Sequence, residues 1–351
     1  MGDIMKGLKF PFEINMLNEE TNNELLQYFH GEKTGFVQVG PEKYFFPYKY
    51  KSEAENYYNF KARHDDVWIV TFPRSGTTWT QELVWLIANN LDFETAKRIP
   101  LTQRFPFFEF HLFVHPEMKR QFLEENAGKK GNQDFIECIS TPGYVLLSTI
   151  PQTERRFIKS HFPFSLLPPS VMEERSKIIY VARRNAMDVA VSYYHLNRLY
   201  RTQGYVGDFK RYWNYFQKGL GPWMPYYSHI REAFEYRNQC NVLYLQYEEM
   251  TRDLPGVIEK ISKFLNLKVD ESKMDKLLHH LDISNFRLNT AVNGKELEEV
   301  GILNKTPNGF VRTGGSGLSI SEFQAASGLL DNANKWIQEN ELLFEKIEHT
   351  N

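Results

Sequence analysis

Along the chain, short apolar runs alternate with stretches whose apolar residues recur every three to four positions. That rhythm predicts strands alternating with helices. "DVWIVTF" (66–72) is rich in β-branched and aromatic residues and reads as a buried strand. Trp79, Leu83, Leu86, Ile87 and Leu91 follow near i, i+3/4, i+7 spacing, which predicts a helix. "RRFIKSHF" (155–162) and "KIIYVAR" (177–183) read as two further strands, with a helix over 187–200 after the second. "NVLYLQYEEM" (241–250) reads as a fourth strand. Val257, Ile258, Ile261, Phe264 and Leu265 share one helical face, as do Met274, Leu277, Leu278 and Leu281. The stretch 325–347 carries Leu329, Leu330, Ala333, Trp336 and Ile337 and is expected to close the domain as a helix. Between 119 and 135, "KRQFLEENAGKKGNQDF" is charged and contains glycine, so a mobile surface segment is expected there.

No repeat, low-complexity run or Pro/Gly/Ser linker divides the 351 residues. The pattern therefore predicts one α/β domain around a central, mostly parallel sheet flanked by helices. At 42% hydrophobic residues a sizeable core is available. A net charge of −2 gives no global case for nucleic acid or a membrane surface, so any anion must be held by a local cluster. Cys138 and Cys240 form neither a disulfide framework nor a CxxC pair. The first twenty residues hold no signal-peptide apolar run, and no stretch approaches the roughly 18 apolar residues that span a bilayer. A soluble protein of the cytoplasm is the expectation. The aromatic content is unusual, with 27 Phe, 19 Tyr and 6 Trp. Most belong to a core, but "FPFFEFHLF" (105–113) and "FPF" (162–164) look like loops that could line an apolar pocket.

Four stretches carry chemistry. In "VTFPRSGTTW" a strand ends at Phe72, and Gly76 lets the backbone approach a ligand. Thr77 and Thr78 then open a helix whose unpaired N–H groups favour an anion, with Arg74 beside them. A plain strand-to-helix turn capped by Ser75 or Thr77 fits the same letters. The Gly-Lys-Ser/Thr ending of a nucleoside-triphosphate loop is missing. In "FIKSHFP" strand alternation puts Lys159 and His161 on one side and Ser160 on the other. A cation next to an imidazole suits proton transfer beside a developing anion; a surface lysine and a core histidine are the plainer reading. In "VARRNAMDVAVSYYH" Arg184 and Ser192 would bracket a helix start as an anion clamp, or Arg184 simply pairs with Asp188. "GFVRTGGSG" (309–317) is a glycine-rich loop with one arginine, and such loops are often plain connectors.

Together and in this order, the four stretches resemble the cytosolic sulfotransferases. These enzymes transfer a sulfuryl group from 3′-phosphoadenosine 5′-phosphosulfate (PAPS) to a hydroxyl or amine, leaving 3′-phosphoadenosine 5′-phosphate (PAP). The likeness runs from about residue 60 to the loop near 317, and "YYHLNRLYRTQGYVGDF" with the early aromatic region looks most like the insect members. It implies an N-terminal extension of about 1–60, a core of about 61–317 containing a P-loop-like PAPS-binding strand–loop–helix, and the C-terminal helix. "TFPRSGTTW" stands where the family has TYPKSGTTW. By that match Arg74, Ser75, Gly76, Thr77 and Thr78 hold the 5′-phosphosulfate end and Trp79 stacks on adenine. Arg74 replaces the usual lysine with a broad planar fork of the same charge. "IKSH" matches IKTH, so Lys159 would neutralise sulfuryl oxygens and His161 would be the catalytic base. "RRNAMDVAVS" has one residue more than the usual run before RNxKDVAVS. Counting from the helix, which preserves the Arg-to-Ser spacing, selects Arg184 with Ser192 for the 3′-phosphate; counting from the strand selects Arg183.

Tyr247 in "YEEM" and Ser284 and Phe286 in "SNF" match cofactor-binding positions, as do Phe310, Arg312 and Gly314 in "FVRTGG". Thr313 replaces the family's lysine, and "GLSI" stands where the family has GDWK. The resemblance thus implies in-line sulfuryl transfer without a metal to a small lipophilic phenol, steroid, retinoid or similar alcohol. Phe105, Phe107, Phe108, Tyr144 and Phe162 are candidates for the acceptor pocket. An enzyme like the insect retinol dehydratase, acting through a transient sulfate ester, fits the same motifs. A PAP- or lipid-binding protein with little turnover is a third reading, motivated by Arg74 and Thr313. An ATP-dependent phosphotransferase lacks its lysine. Neither nucleic acid nor membrane is implied as a partner, and the chain could be a monomer or a homodimer.

Overall fold

The parallel sheet forms where the sequence is most continuously apolar. In the computed structural model, residues 7–183, 185–306, 309–311, 320–325 and 328–348 are described, with 342–348 as backbone only. The N-terminal stretch builds an antiparallel sheet from β1 (Ile14–Met16), β2 (Phe36–Val39) and β3 (Tyr44–Pro47) in that order. The second sheet is parallel and contains β4 (Val67–Val70), β5 (Phe157–Ser160), β6 (Lys177–Ala182) and β7 (Val242–Gln246), in the order β5-β4-β6-β7. All of β4 is buried, as a central parallel strand covered on both faces must be.

Alternation divides the strands between two cores. Trp68 and Val70 face one side with Ile158, Ile178 and Tyr180, while Val67 and Ile69 face the other with Ile179, Val181 and Leu245. The second side is covered by α1 (Thr77–Ala88), and its C-terminal end is reached by α2 (Ala186–Leu199) from the other face. Three further helices, α3 (Phe209–Gln217), α4 (Tyr226–Glu235) and α5 (Leu254–Leu265), complete the two layers, with α6 (Met274–Leu281) outside α5. Asn185 caps α2 by accepting the Asp188 N–H at 3.0 Å. Asp253 caps α5, and Asn266 stops it in the left-handed region at φ 55°. The short α7 (Ile320–Gln324) and long α8 (Leu329–Glu348) close the first layer, where Trp336 meets Trp213, Phe216 and Tyr227.

Two expectations are corrected. The segment 119–135 is not a mobile stretch but belongs to two helices, Pro116–Glu125 and Lys130–Ile139. Phe122 and Ile136 are fully buried in a third core with Phe110, Leu199 and Ile302. The Asn126 amide seals the join by donating to the Phe122 and Val300 carbonyls at 2.9 and 3.0 Å. The charges that suggested mobility occupy the outer faces. The fourth strand ends at Gln246, because Tyr247–Arg252 turns into a helix with Glu248 and Glu249 in its first turn, where the helix dipole favours acids. Among the described residues no helix is long and apolar enough to cross a membrane.

Candidate active site

The strand-to-helix loop after β4 owes its shape to two left-handed residues, Arg74 at φ 69° and Gly76 at φ 93°. Only glycine suits the second position. A Cβ there would lie 2.7 Å from the Tyr247 ring, quite apart from the φ it would have to adopt. The loop thus comes flush against Tyr247 and points the first amides of α1 into a cavity of about 550 Å³ at the C-terminal ends of the parallel strands. Pro73, Arg74, Gly76, Thr77, Thr78 and Trp79 form one wall. Ser75 is buried and does not line the cavity, and its hydroxyl has no hydrogen-bond partner among the described residues.

Arg74 and Ser192 meet directly, the Arg74 Nε donating to the Ser192 hydroxyl at 2.8 Å. The guanidinium also lies 5.7 Å from the Phe310 ring centre. Arg183 lines the cavity over the Tyr247 ring at 4.7 Å and pairs with Asp188 at 3.1 Å. Arg184, for which a pair with Asp188 was anticipated, lies outside the described residues, as do Arg312, Thr313 and Gly314. Trp79 donates its indole N–H to the Leu281 carbonyl at 3.1 Å and stands edge-on to Tyr247, 6.1 Å between centres. Phe286 lines the same region from the helix Ile283–Leu288. Ser284 is exposed and outside the lining, held by the Asp282 cap.

At the end of β5, Lys159 and His161 enter the cavity together, while Ser160 turns away to donate to Glu109 at 2.9 Å. The His161 Nδ1 is 2.7 Å from the Thr71 carbonyl, which can only accept, so that nitrogen carries the proton and Nε2 keeps its lone pair. Thr71 in turn joins the loop through its hydroxyl, 2.6 Å from that of Thr77. Burial, followed by the Lys159 charge, holds His161 well below the usual histidine range, so the ring is neutral. Burial also lowers Lys159, to about 8, with Glu109 opposing and Arg74 reinforcing the shift. Its ammonium sits 4.1 Å from the Phe107 ring centre. His161 is flanked by Phe107 and Trp223, each 5.1 Å away centre to centre.

Three supporting residues were not found from the sequence. Glu109 is fully buried and accepts from the His161 N–H at 2.6 Å, the Ser160 hydroxyl and the Trp223 indole at 3.1 Å. Burial pushes its carboxyl up to about 7 despite these donors. A lone acid inside "FPFFEFHLF" was the available signal. His229 donates from Nε2 to the His161 carbonyl at 2.9 Å and accepts from the Tyr180 hydroxyl at 2.8 Å, fixing the strand end from below. Trp223 follows α3 in a turn that carries no recognisable chemistry of its own.

Of the five aromatic residues anticipated in the acceptor pocket, Phe107 lines the cavity; the other four are elsewhere. Phe108 and Phe162 are completely buried against Tyr57. Phe105 packs on Phe157 in the opposite core, and Tyr144 donates to Glu53 at 2.8 Å. Phe105 ends the helix Leu101–Arg104 and turns into the opposite core, whereas Phe107 bridges to Lys159 at the β5 end and so reaches the cavity. Phe110, Trp223, Leu196 and Tyr200 supply the remaining apolar wall. No group of three or more His, Cys, Asp or Glu residues that could hold a metal ion occurs among the described residues.

Comparisons with known proteins match this arrangement. The family model for the sulfotransferase domain covers residues 64–346. Luciferin sulfotransferase of Photinus pyralis is 36% identical over 290 residues, 80% of this chain and 73% of that protein. Sulfotransferase 1B1 of Canis lupus familiaris is 30% identical over 77% of this chain and 82% of its own length. Among solved structures, retinol dehydratase in complexes with retinol and PAP, and with androsterone and PAP, superposes with a TM-score of 0.86 at 36% identity, over 95% of this chain and 97% of that one. The phosphate-type loop, the Lys-His strand end and the match over four-fifths of the sequence lead to one assignment: the chain is an enzyme of the sulfotransferase family.

Proposed function

We propose that the cavity binds PAPS against the loop 73–79 and directs its sulfuryl group to the hydroxyl of a small lipophilic acceptor, a phenol, steroid, retinoid or similar alcohol. The observation that carries this reading is the neutral His161, its Nε2 lone pair set free by the Nδ1 bond to Thr71, in one cavity with Lys159 and the phosphate-type loop. The donor set suits the co-substrate. The first amides of α1, Arg74 and Lys159 match a phosphosulfate, the Cβ-free Gly76 lets an oxyanion come close, Ser75 would act from behind the lining, and Trp79, Tyr247 and Phe286 match adenine. For the 3′-phosphate we assign Ser192 with Arg183 or Arg184, together with Phe310, Arg312 and Gly314; of these Ser192, Arg183 and Phe310 line the cavity, and Ser284 would act from outside the lining. PAP in the solved relatives supports that placement.

PAPS supplies the sulfuryl group. As the acceptor oxygen bonds to sulfur and the sulfur–phosphate-oxygen bond breaks, the acceptor proton passes to His161 Nε2. The charge growing on the leaving phosphate is met by Arg74 and the loop amides, and that on the sulfuryl oxygens by Lys159. No metal enters this scheme. The acceptor rests on Phe107, Phe110 and Trp223, where each Å² of buried apolar surface contributes about 25 cal/mol.

A second reading, dehydration of an allylic alcohol through its sulfate ester, is favoured by the likeness to retinol dehydratase. One experiment separates the two. The protein is incubated with sulfur-labelled PAPS and separately with a phenol, a steroid and retinol, and products are identified by mass. Sulfated products support transfer as the end point. Release of free sulfate with a dehydrated retinoid supports the second reading. PAP binding without any product refutes both.

A further inference from the structure

Behind the cavity wall, one threonine has each of its polar groups tied to a different part of the site. Thr71 directly follows β4, is completely buried and lies outside the lining. Its N–H donates to the Ser160 carbonyl at 3.3 Å, which carries the β4–β5 pairing on to the residue before His161. Its carbonyl accepts from His161 Nδ1 at 2.7 Å. Its hydroxyl oxygen lies 2.6 Å from the Thr77 hydroxyl and 3.2 Å from the same Nδ1. Branching at Cβ keeps χ1 stiff, so the hydroxyl stays where the backbone puts it.

The direction of the hydrogens follows from what each atom can do. A ring nitrogen that gives its hydrogen to the Thr71 carbonyl has no lone pair to offer, so Nδ1 can meet the Thr71 hydroxyl oxygen only as a weak second donor. The Thr71 hydroxyl hydrogen therefore cannot go to His161. Among the described residues its one remaining hydrogen-bond neighbour is the Thr77 oxygen, and a hydroxyl this deeply buried needs its hydrogen paired. Thr71 thus donates and Thr77 accepts; the reverse direction would strand the Thr71 hydrogen in the interior. Thr77 keeps a hydrogen of its own. It is the first residue of α1 and lines the cavity, and among the described residues its hydroxyl makes no other hydrogen bond.

We infer that Thr71 is a positioning residue that acts on the cofactor through Thr77. By donating to the Thr77 oxygen it leaves the Thr77 hydrogen for the cavity, where a phosphate oxygen of PAPS or PAP accepts it. This rests on the PAPS reading above. Every hydrogen along His161, Thr71 and Thr77 then points toward the anion, so each bond polarises the next. The Thr71 carbonyl meanwhile fixes the His161 tautomer. One buried residue that touches neither ligand thus sets both a donor to the leaving group and the base for the acceptor. Without the Thr71 hydroxyl, Thr77 is free to rotate and its hydrogen is no longer directed.

The test is a double-mutant cycle on PAP affinity, measured by calorimetry on the full-length wild type, Thr71→Val, Thr77→Val and the double variant. Valine keeps the shape and the backbone carbonyl that holds His161, and removes only the hydroxyl. Each single variant is expected to bind PAP at least about fivefold more weakly. Because Thr71 acts through Thr77, the loss caused by Thr71→Val should shrink to within about twofold once residue 77 is already valine. Thr71→Ser, which restores the hydroxyl, should return affinity to within about twofold of the wild type. A residue that mattered only for packing would give the same loss in both backgrounds and would not be rescued by the smaller serine. The fitted stoichiometry counts only binding-competent protein, so partial unfolding does not imitate the result. Additive losses, or undiminished affinity in Thr71→Val, overturn the inference, and a wild type that binds no PAP overturns it together with the PAPS reading. Sulfur-labelled PAPS and 2-naphthol separate the two levels in the wild type. If the cycle is coupled but no label is transferred, the transfer reading fails and the Thr71 inference stands. If label is transferred and the cycle is additive, the reverse holds.

Discussion

Burial moves the two functional side chains at the end of β5 in the same direction, with opposite consequences for each. His161 is held neutral, so as pH falls through 6.5, where an exposed histidine would acquire a proton, it remains a base. The proposed transfer uses Lys159 as a cation, yet its lowered value of about 8 means that half of it is neutral at pH 8 and about nine-tenths at pH 9. In the proposed transfer kcat/KM is therefore expected to be level from about pH 6 to 7.5 and to fall above 8 by up to about tenfold per unit. Lys159→Arg should move that alkaline limb beyond pH 9, because a guanidinium stays charged; a kcat/KM–pH profile of both proteins, which reads the free enzyme, checks it. Glu109→Gln keeps the shape but replaces an acceptor oxygen by a donor among the three groups it now accepts from, two N–H and one O–H. A stability loss of about 1–3 kcal/mol is expected in urea unfolding, with a lower kcat. The Lys-His pair was legible in "FIKSH" because strand alternation is local. Glu109, Thr71 and His229 were not, because each reaches His161 from 52 to 90 positions away and pairing at that range is set by the fold.

Among the elements, the buried parallel strands and the helices with a clear apolar face were the readable ones. Their apolar periodicity gave β4 to β7 to within a few residues, apart from the tail of the last. The helices at 116–125 and 130–139 were hidden by their charges, since only Met118, Phe122 and Ile136 are buried in them. Phe122→Ala is expected to cost about 3–5 kcal/mol, a value typical of a core aromatic residue and not of a surface loop. Thermal unfolding reads the difference. The loop before α1 makes the opposite prediction. Gly76→Ala forces a side chain into the left-handed region and against the Tyr247 ring. PAP affinity should fall at least tenfold in calorimetry, because the strain sits where the proposed anion site lies.

At the scale of the molecule, the first-layer core joins the N-terminal sheet to α2, α3, α4 and α8, and the second holds α1, α5 and α6 against the opposite face. The cavity opens between these layers, so a ligand there touches both. PAP at 100 times its dissociation constant should raise the unfolding free energy by about 2.7 kcal/mol, seen as a higher melting temperature. EDTA should leave the transfer rate unchanged, because the proposed chemistry draws its positive charge from Arg74 and Lys159. The central claim is that His161 takes the acceptor's proton while the cofactor is held independently of it. Single-turnover transfer of sulfur label from bound PAPS to 2-naphthol, in the wild type and in His161→Gln, tests it directly. The account predicts a rate at least 100-fold lower in the variant with PAP affinity within about twofold of the wild type. Label transfer at an undiminished rate in the variant would contradict it.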